Sequence, residues 1–235
     1  MHRLMYLLFP VFLAACDADA LRVQPAEDWI QGEGDFRVEA ATFQQISQRV
    51  GEQARVECLR RANVKNCDFA TLVDLDPKAP ANAFQTLDKN DQPVIIFTRA
   101  MIESAQNADE LAFVMGHEAS HHILRHIPRQ SVNARESAEI FGDLARLAGA
   151  EGAAVEEAQK LGARVGTQVY VRDFELEADE LGTIITFRAG YNPLIGAKYF
   201  DRLPDPEDSF LSTHPPNAKR VEVVKQTARG LGLTQ

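Results

Sequence analysis

His117-Glu118-Ala119-Ser120-His121 sets two imidazoles four positions apart with a carboxylate directly after the first. On an α-helix, residues i and i+4 lie one above the other, so both rings can aim a nitrogen at one ion. Glu118, one step around the helix, is placed to take a proton from water rather than to hold the ion. Zinc suits such a pair, and it lowers the pKa of water toward about 7. A catalytic zinc also needs a third protein ligand and one open position. His122 points about a quarter-turn from His121 and is expected to pack or to support a ligand. His126 is too far along the same helix to share the ion. The stretch Glu175-Leu176-Glu177-Ala178-Asp179 offers better candidates. Glu175 and Asp179 share a helix face, so one can bind metal while the other accepts a hydrogen bond from a ligand imidazole.

Positioning these groups requires two helices. Asn107 and Glu110 have capping-box spacing ahead of the apolar run Leu111, Val114, Met115 and Ile123, which predicts a helix from about Ala108 that Pro128 limits. A second helix is expected over 172–189, closed by Gly190. Further helices are predicted over 40–61 (Phe43, Ile46, Val50, Ala54 and Leu59 at helical spacing), 193–203 and 217–229. Residues 134–168, rich in Ala, Gly and Glu, are expected to form one or two helices and a mobile, lid-like segment. Their glycines (Gly142, Gly149, Gly152, Gly162 and Gly166) permit close packing at a cost in helix stability. Short β segments at 69–75, 82–86 and 93–97, separated by turn clusters, predict a small, mainly antiparallel sheet. The fold class is therefore α+β and mainly α.

The net charge of -9 argues against nucleic acid as a partner, because phosphate binding needs a basic footprint. Arg3 is followed by an apolar run, Leu4 to Ala15, that is too short to span a bilayer and ends in Leu13-Ala14-Ala15-Cys16. This resembles a bacterial lipoprotein signal, with Cys16 as the lipidated residue and membrane anchor. Asp17 resembles an inner-membrane retention signal. Residues 1–15 are then a signal peptide, 16–38 a polar tether with Trp29 docked, and 39–235 the catalytic domain. In an oxidising periplasm, Cys58 and Cys67 are expected to form a disulfide worth roughly 2–3 kcal/mol.

HEASH, then ELEADELG, then STHPPNAKR, together with Asn82-Ala83-Phe84 and Ala189-Gly190-Tyr191-Asn192-Pro193, resemble the HtpX-type and BepA-type zinc metallopeptidases, relatives of the CAAX prenyl proteases. The resemblance implies a zincin-like domain with one zinc held by His117, His121 and Glu175. Glu118 would be the general base and Asp179 the carboxylate behind a ligand, with Glu177 at a variable position. It implies catalytic or latching roles near the metal for His214, and places Arg220 beside the site. Asn82, Ala83 and Phe84 would form the edge to which an extended polypeptide substrate adds as a strand. The sequence has no apolar run long enough for the transmembrane helices of the HtpX and CAAX types, and no helical repeat of the BepA type. Prenylated substrates and a repeat-mediated partner are therefore not expected. The implied activity is cleavage of unfolded or misassembled envelope proteins. The alternative is a chaperone-like zinc module latched by His214.

Overall fold

The structure, a computed structural model, describes residues 22–61, 65–203 and 215–233. Cys16 and His214 lie outside them, as does the signal-like start.

Four strands form one sheet in the order β1-β2-β4-β3: β1 (Val23–Pro25), β2 (Ala70–Asp74), β3 (Ala83–Leu87) and β4 (Pro93–Thr98). The β1–β2 and β3–β4 pairings are antiparallel, as expected of the sheet as a whole, while the central β2–β4 pairing is parallel. All six residues of β4 are buried, which suits the Val-Ile-Ile-Phe run of a strand covered on both faces. Helix α1 (Ala40–Arg60) lays Phe43, Ile46, Val50, Ala54 and Cys58 onto the core. Cys58 is disulfide-linked to Cys67.

Within the stretch read as a tether, residues 23–25 pair with β2, and Trp29 is docked, only 2% exposed. Its ring meets Phe36 and Phe43 edge-on at 5.7 and 5.8 Å, and Phe43 meets Phe97 of β4 at 5.2 Å. Edge-to-face aromatic packing of this kind holds the segment to the domain.

Thr98 caps the short α2 (Arg99–Ser104), and Asn107 caps α3 (Ala108–Ile123) by accepting the Glu110 backbone N–H at 3.0 Å. Helix α3 ends before Pro128 can act on it. Arg125 takes a left-handed conformation (φ 58°), and α4 (His126–Leu147) begins at the next residue with Pro128 in its first turn. Proline is tolerated there because first-turn N–H groups have no helical acceptor. Residues 134–147 and 153–168 are helical, as two helices were expected there, but the second is not separate from the helix bearing Glu175. Helix α5 (Ala153–Arg188) runs unbroken for 36 residues and pairs with α4. The chain closes with α6 (Pro193–Gly196), a 3-10 turn over Ala197–Arg202, and α7 (Asn217–Gly230). Among the described residues, no helix is long and apolar enough to cross a membrane.

Where α3 crosses α5, Gly116 and Gly182 face one another. A Cβ on Gly182 would lie 2.9 Å from the His117 backbone nitrogen, and one on Gly116 would lie 2.9 Å from the Gly182 carbonyl oxygen. Only glycine at both positions lets the two backbones approach this closely. That approach brings the carboxylates of α5 against the histidines of α3.

Candidate metal centre

His117 and His121 project from successive turns of α3, and Glu175 meets them from α5. The two Nε2 atoms are 3.0 Å apart, and the Glu175 oxygens lie 3.5 Å from His117 Nε2 and 3.4 Å from His121 Nε2. Ligand atoms about 2.0–2.1 Å from a tetrahedral zinc sit roughly 3.3 Å from one another, so these three donors fit one ion without rearrangement. Two imidazoles and one carboxylate are also a donor set that zinc accepts readily. Burial by itself would lower the His117 pKa, but Asp179 and Glu175 outweigh it and raise the ring to about 10. Burial, with the neighbouring His117, holds His121 well below its ordinary value, as a neutral ring with a lone pair to offer.

Each of these two imidazoles is held from behind through its Nδ1. For His117 the partner is Asp179, with Oδ1 at 2.9 Å. Asp179 is fully buried and is clamped by Arg220 of α7, which donates from Nε to Oδ2 at 2.8 Å and from Nη2 to Oδ1 at 2.7 Å. The Arg220 guanidinium also stacks 4.1 Å from the Phe200 ring centroid. Arg220, expected beside the site, is only 6% exposed, and its Nη2 also lies 3.4 Å from Glu175 Oε2.

For His121 the partner is His126, whose Nδ1 lies 2.8 Å away. His126 Nε2 is 3.1 Å from Glu177 Oε2, and Arg129 donates to both oxygens of Glu177 at 2.5 and 3.1 Å. These contacts escape helical spacing arguments because the left-handed Arg125 ends α3 and turns the chain back on itself. His122, expected to pack, bonds the Asn66 carbonyl at 2.7 Å and meets Phe69 edge-on.

Glu118 lies beside the three donors, half-buried. Desolvation, with a contribution from the Glu175 charge, pushes its carboxyl up to about 7, while a hydrogen bond from the Gln85 backbone N–H pulls the other way. A carboxylate poised near neutral pH suits a general base. The bond from Gln85 also locates β3, the outer strand of the sheet, next to Glu118.

Of the three residues expected at the substrate edge, Asn82 is tied to Thr98, which donates its backbone N–H to the Asn82 carbonyl at 2.9 Å, and Phe84 pairs with Ile96 in β4. With that register, the backbone groups of Ala83, Gln85 and Leu87 face away from β4. No sequence pattern singled out Gln85; its role follows from strand register.

The profile of peptidase family M48 matches residues 40–228. The chain is 31% identical over 173 residues to a putative beta-barrel assembly-enhancing protease of Vibrio cholerae, covering 66% of this chain and 36% of that protein. It is 28% identical over 142 residues to the beta-barrel assembly-enhancing protease of Escherichia coli, covering 57% and 28%. It is also 24% identical over 137 residues to the mitochondrial metalloendopeptidase OMA1 of Arabidopsis thaliana, covering 57% and 27%. The matched stretch thus spans only 27% to 36% of these relatives' lengths.

Proposed function

The chain belongs to peptidase family M48 and is a metalloprotease; from that premise we propose that it is a zinc endopeptidase that cuts extended segments of unfolded or misassembled cell-envelope proteins. The observation that carries the reading is the convergence of His117 Nε2, His121 Nε2 and Glu175 on one point, with Glu118 alongside. When bound, the metal supplies Lewis acidity, which polarises the scissile carbonyl and acidifies water. Glu118 accepts the proton of the attacking water on its carboxylate and delivers it to the nitrogen of the leaving amine. Asp179 keeps the His117 Nδ1 proton in place so that Nε2 offers its lone pair.

An extended peptide adds to the open edge of β3 through the backbone groups of Ala83 and the Gln85 carbonyl, beside Glu118. Backbone pairing of this kind selects for unfolded chain over side-chain identity. The assembly-related names of the bacterial relatives support an envelope substrate. Export and lipid anchoring through Cys16 belong to the same proposal. They are supported by the signal-like start and by the Cys58–Cys67 disulfide, which suits an oxidising compartment.

Cleavage of a reduced, unfolded protein tests the reading. The expected result is that chelation abolishes cleavage and that Glu118→Gln retains zinc while losing about 10²–10⁴ in rate. Chelator-sensitive cleavage at the wild-type rate by Glu118→Gln would remove Glu118 from its role.

A further inference from the structure

Both nitrogens of His126 are engaged, although the ring touches neither the ligand cluster's centre nor the cleft. Nδ1 meets His121 Nδ1 at 2.8 Å, and Nε2 meets Glu177 Oε2 at 3.1 Å. The ring is 4% exposed and lies flat on Phe174, with centroids 4.5 Å apart and planes 8° from parallel. Arg129 covers the other partner, bonding Glu177 with two N–H groups and lying 4.3 Å from the Phe174 ring centroid.

We propose that His126 is a positioning residue for the second metal ligand: it accepts the His121 Nδ1 proton, which leaves His121 Nε2 free to bind metal, and the Glu177–Arg129 pair sets His126 for that task. The inference rests on the metal-site reading above.

For a neutral His126 the proton count allows one arrangement. Glu177, held by Arg129, can only accept, so His126 Nε2 must carry a proton. A neutral His126 then presents a bare Nδ1, and the 2.8 Å contact requires His121 to donate from its own Nδ1. His121 Nε2 is left with its lone pair, on the side where His117 Nε2 and Glu175 converge. The opposite order would set two lone pairs against each other between His126 Nε2 and Glu177, and it would put a proton on His121 Nε2, where the metal must bind. The chain His121–His126–Glu177–Arg129 therefore does for the second ligand what Asp179 does for the first.

Zinc affinity of the purified full chain, measured by competition with a chromophoric chelator, tests this with His126→Phe and His126→Asn. Phenylalanine keeps the stacking on Phe174 but cannot accept a hydrogen bond, whereas the asparagine side-chain oxygen can occupy the place of the imidazole Nδ1. The expected result is a 10–100-fold loss of zinc affinity for His126→Phe and a loss of no more than about 3-fold for His126→Asn, below the range set by such supporting groups. In the zinc-loaded wild type, the ¹H–¹⁵N spectrum of His121 should show the proton on Nδ1. Wild-type affinity in His126→Phe would overturn the proposal, as would an equal loss in both variants, which would signal disturbed packing. His121→Ala in the same titration separates the two levels of the argument. If it binds zinc as the wild type does, the metal site itself is wrong. If it loses zinc while His126→Phe does not, only the positioning role fails.

Discussion

The two histidines of the candidate metal group are supported in opposite ways. Behind His117, a fully buried carboxylate is neutralised by a nearly buried arginine from a helix 41 positions downstream in sequence. Behind His121, the buried group is a neutral imidazole from the next helix, and charge appears only at the rim, where the Glu177 and Arg129 side chains are 39% and 42% exposed. The difference follows from the cost of burying charge. A carboxylate can sit in the interior only if a cation is buried with it in good geometry, whereas an imidazole can pass the hydrogen-bond requirement outward to a pair that stays hydrated. The first support ties α7 to α5 and is part of the fold. The second joins the α3–α4 junction to Glu177 and Phe174 on the face of α5 and is built for orientation.

Breaking the buried support should cost the most. Asp179→Ala removes the carboxylate that takes two Arg220 hydrogen bonds and leaves the buried guanidinium only Glu175 at 3.4 Å, a loss of about 3–5 kcal/mol, which in a chain of this size lowers Tm by roughly 6–20 °C by calorimetry. A Tm near wild type would show that the Arg220–Asp179 pair does not anchor α7. Removing the disulfide with Cys58→Ser and Cys67→Ser together should cost about 2–3 kcal/mol by loop closure yet leave zinc affinity unchanged. That result would show that stability and metal affinity separate at positions outside both supports. At the rim, Arg129→Ala should cost less than about 1 kcal/mol, a Tm change under about 4 °C. A drop as large as that of Asp179→Ala would erase the distinction drawn here. The smallest effect is that of salt. Raising ionic strength to about 1 M shortens the Debye length to about 3 Å, so the Glu177–Arg129 pair should weaken in a double-mutant cycle while the Asp179–Arg220 pair holds.

Much of this centre was legible in the chain itself. The spacing of His117 and His121, the cap at Asn107 and the apolar period of α3 are local features, and local geometry is what sequence reports most directly. The pairing of Glu175 with Asp179 was visible as one helix face. Their separate roles were assigned only by resemblance, because helical spacing cannot say which of two carboxylates meets the ligand nitrogens. His126 is not expected to share the ion, and the group that could hold a metal is indeed His117, His121 and Glu175. Its contact with His121 is not legible from helical spacing, because Arg125 adopts a left-handed conformation that favours glycine and that nothing in its side chain announces. Likewise, the helix expected over 172–189 is only the second half of α5, and the glycines expected to permit close packing do so between α5 and α4. There, Gly162 and Gly166 bring α5 close enough that a Cβ on either would lie 2.4 Å from a carbonyl oxygen of α4.

By itself, the sequence determined which groups could hold a metal and which carboxylate could move a proton, since both follow from side-chain chemistry and the 3.6-residue turn. Tertiary structure decided how those groups are held. The glycine contact of Gly116 with Gly182 sets the depth at which Glu175 and Asp179 approach, Arg220 arrives from α7, and the break at Arg125 folds His126 onto His121. Each is a contact between segments whose spacing along the chain carries no period, so only the packed backbone could bring them together.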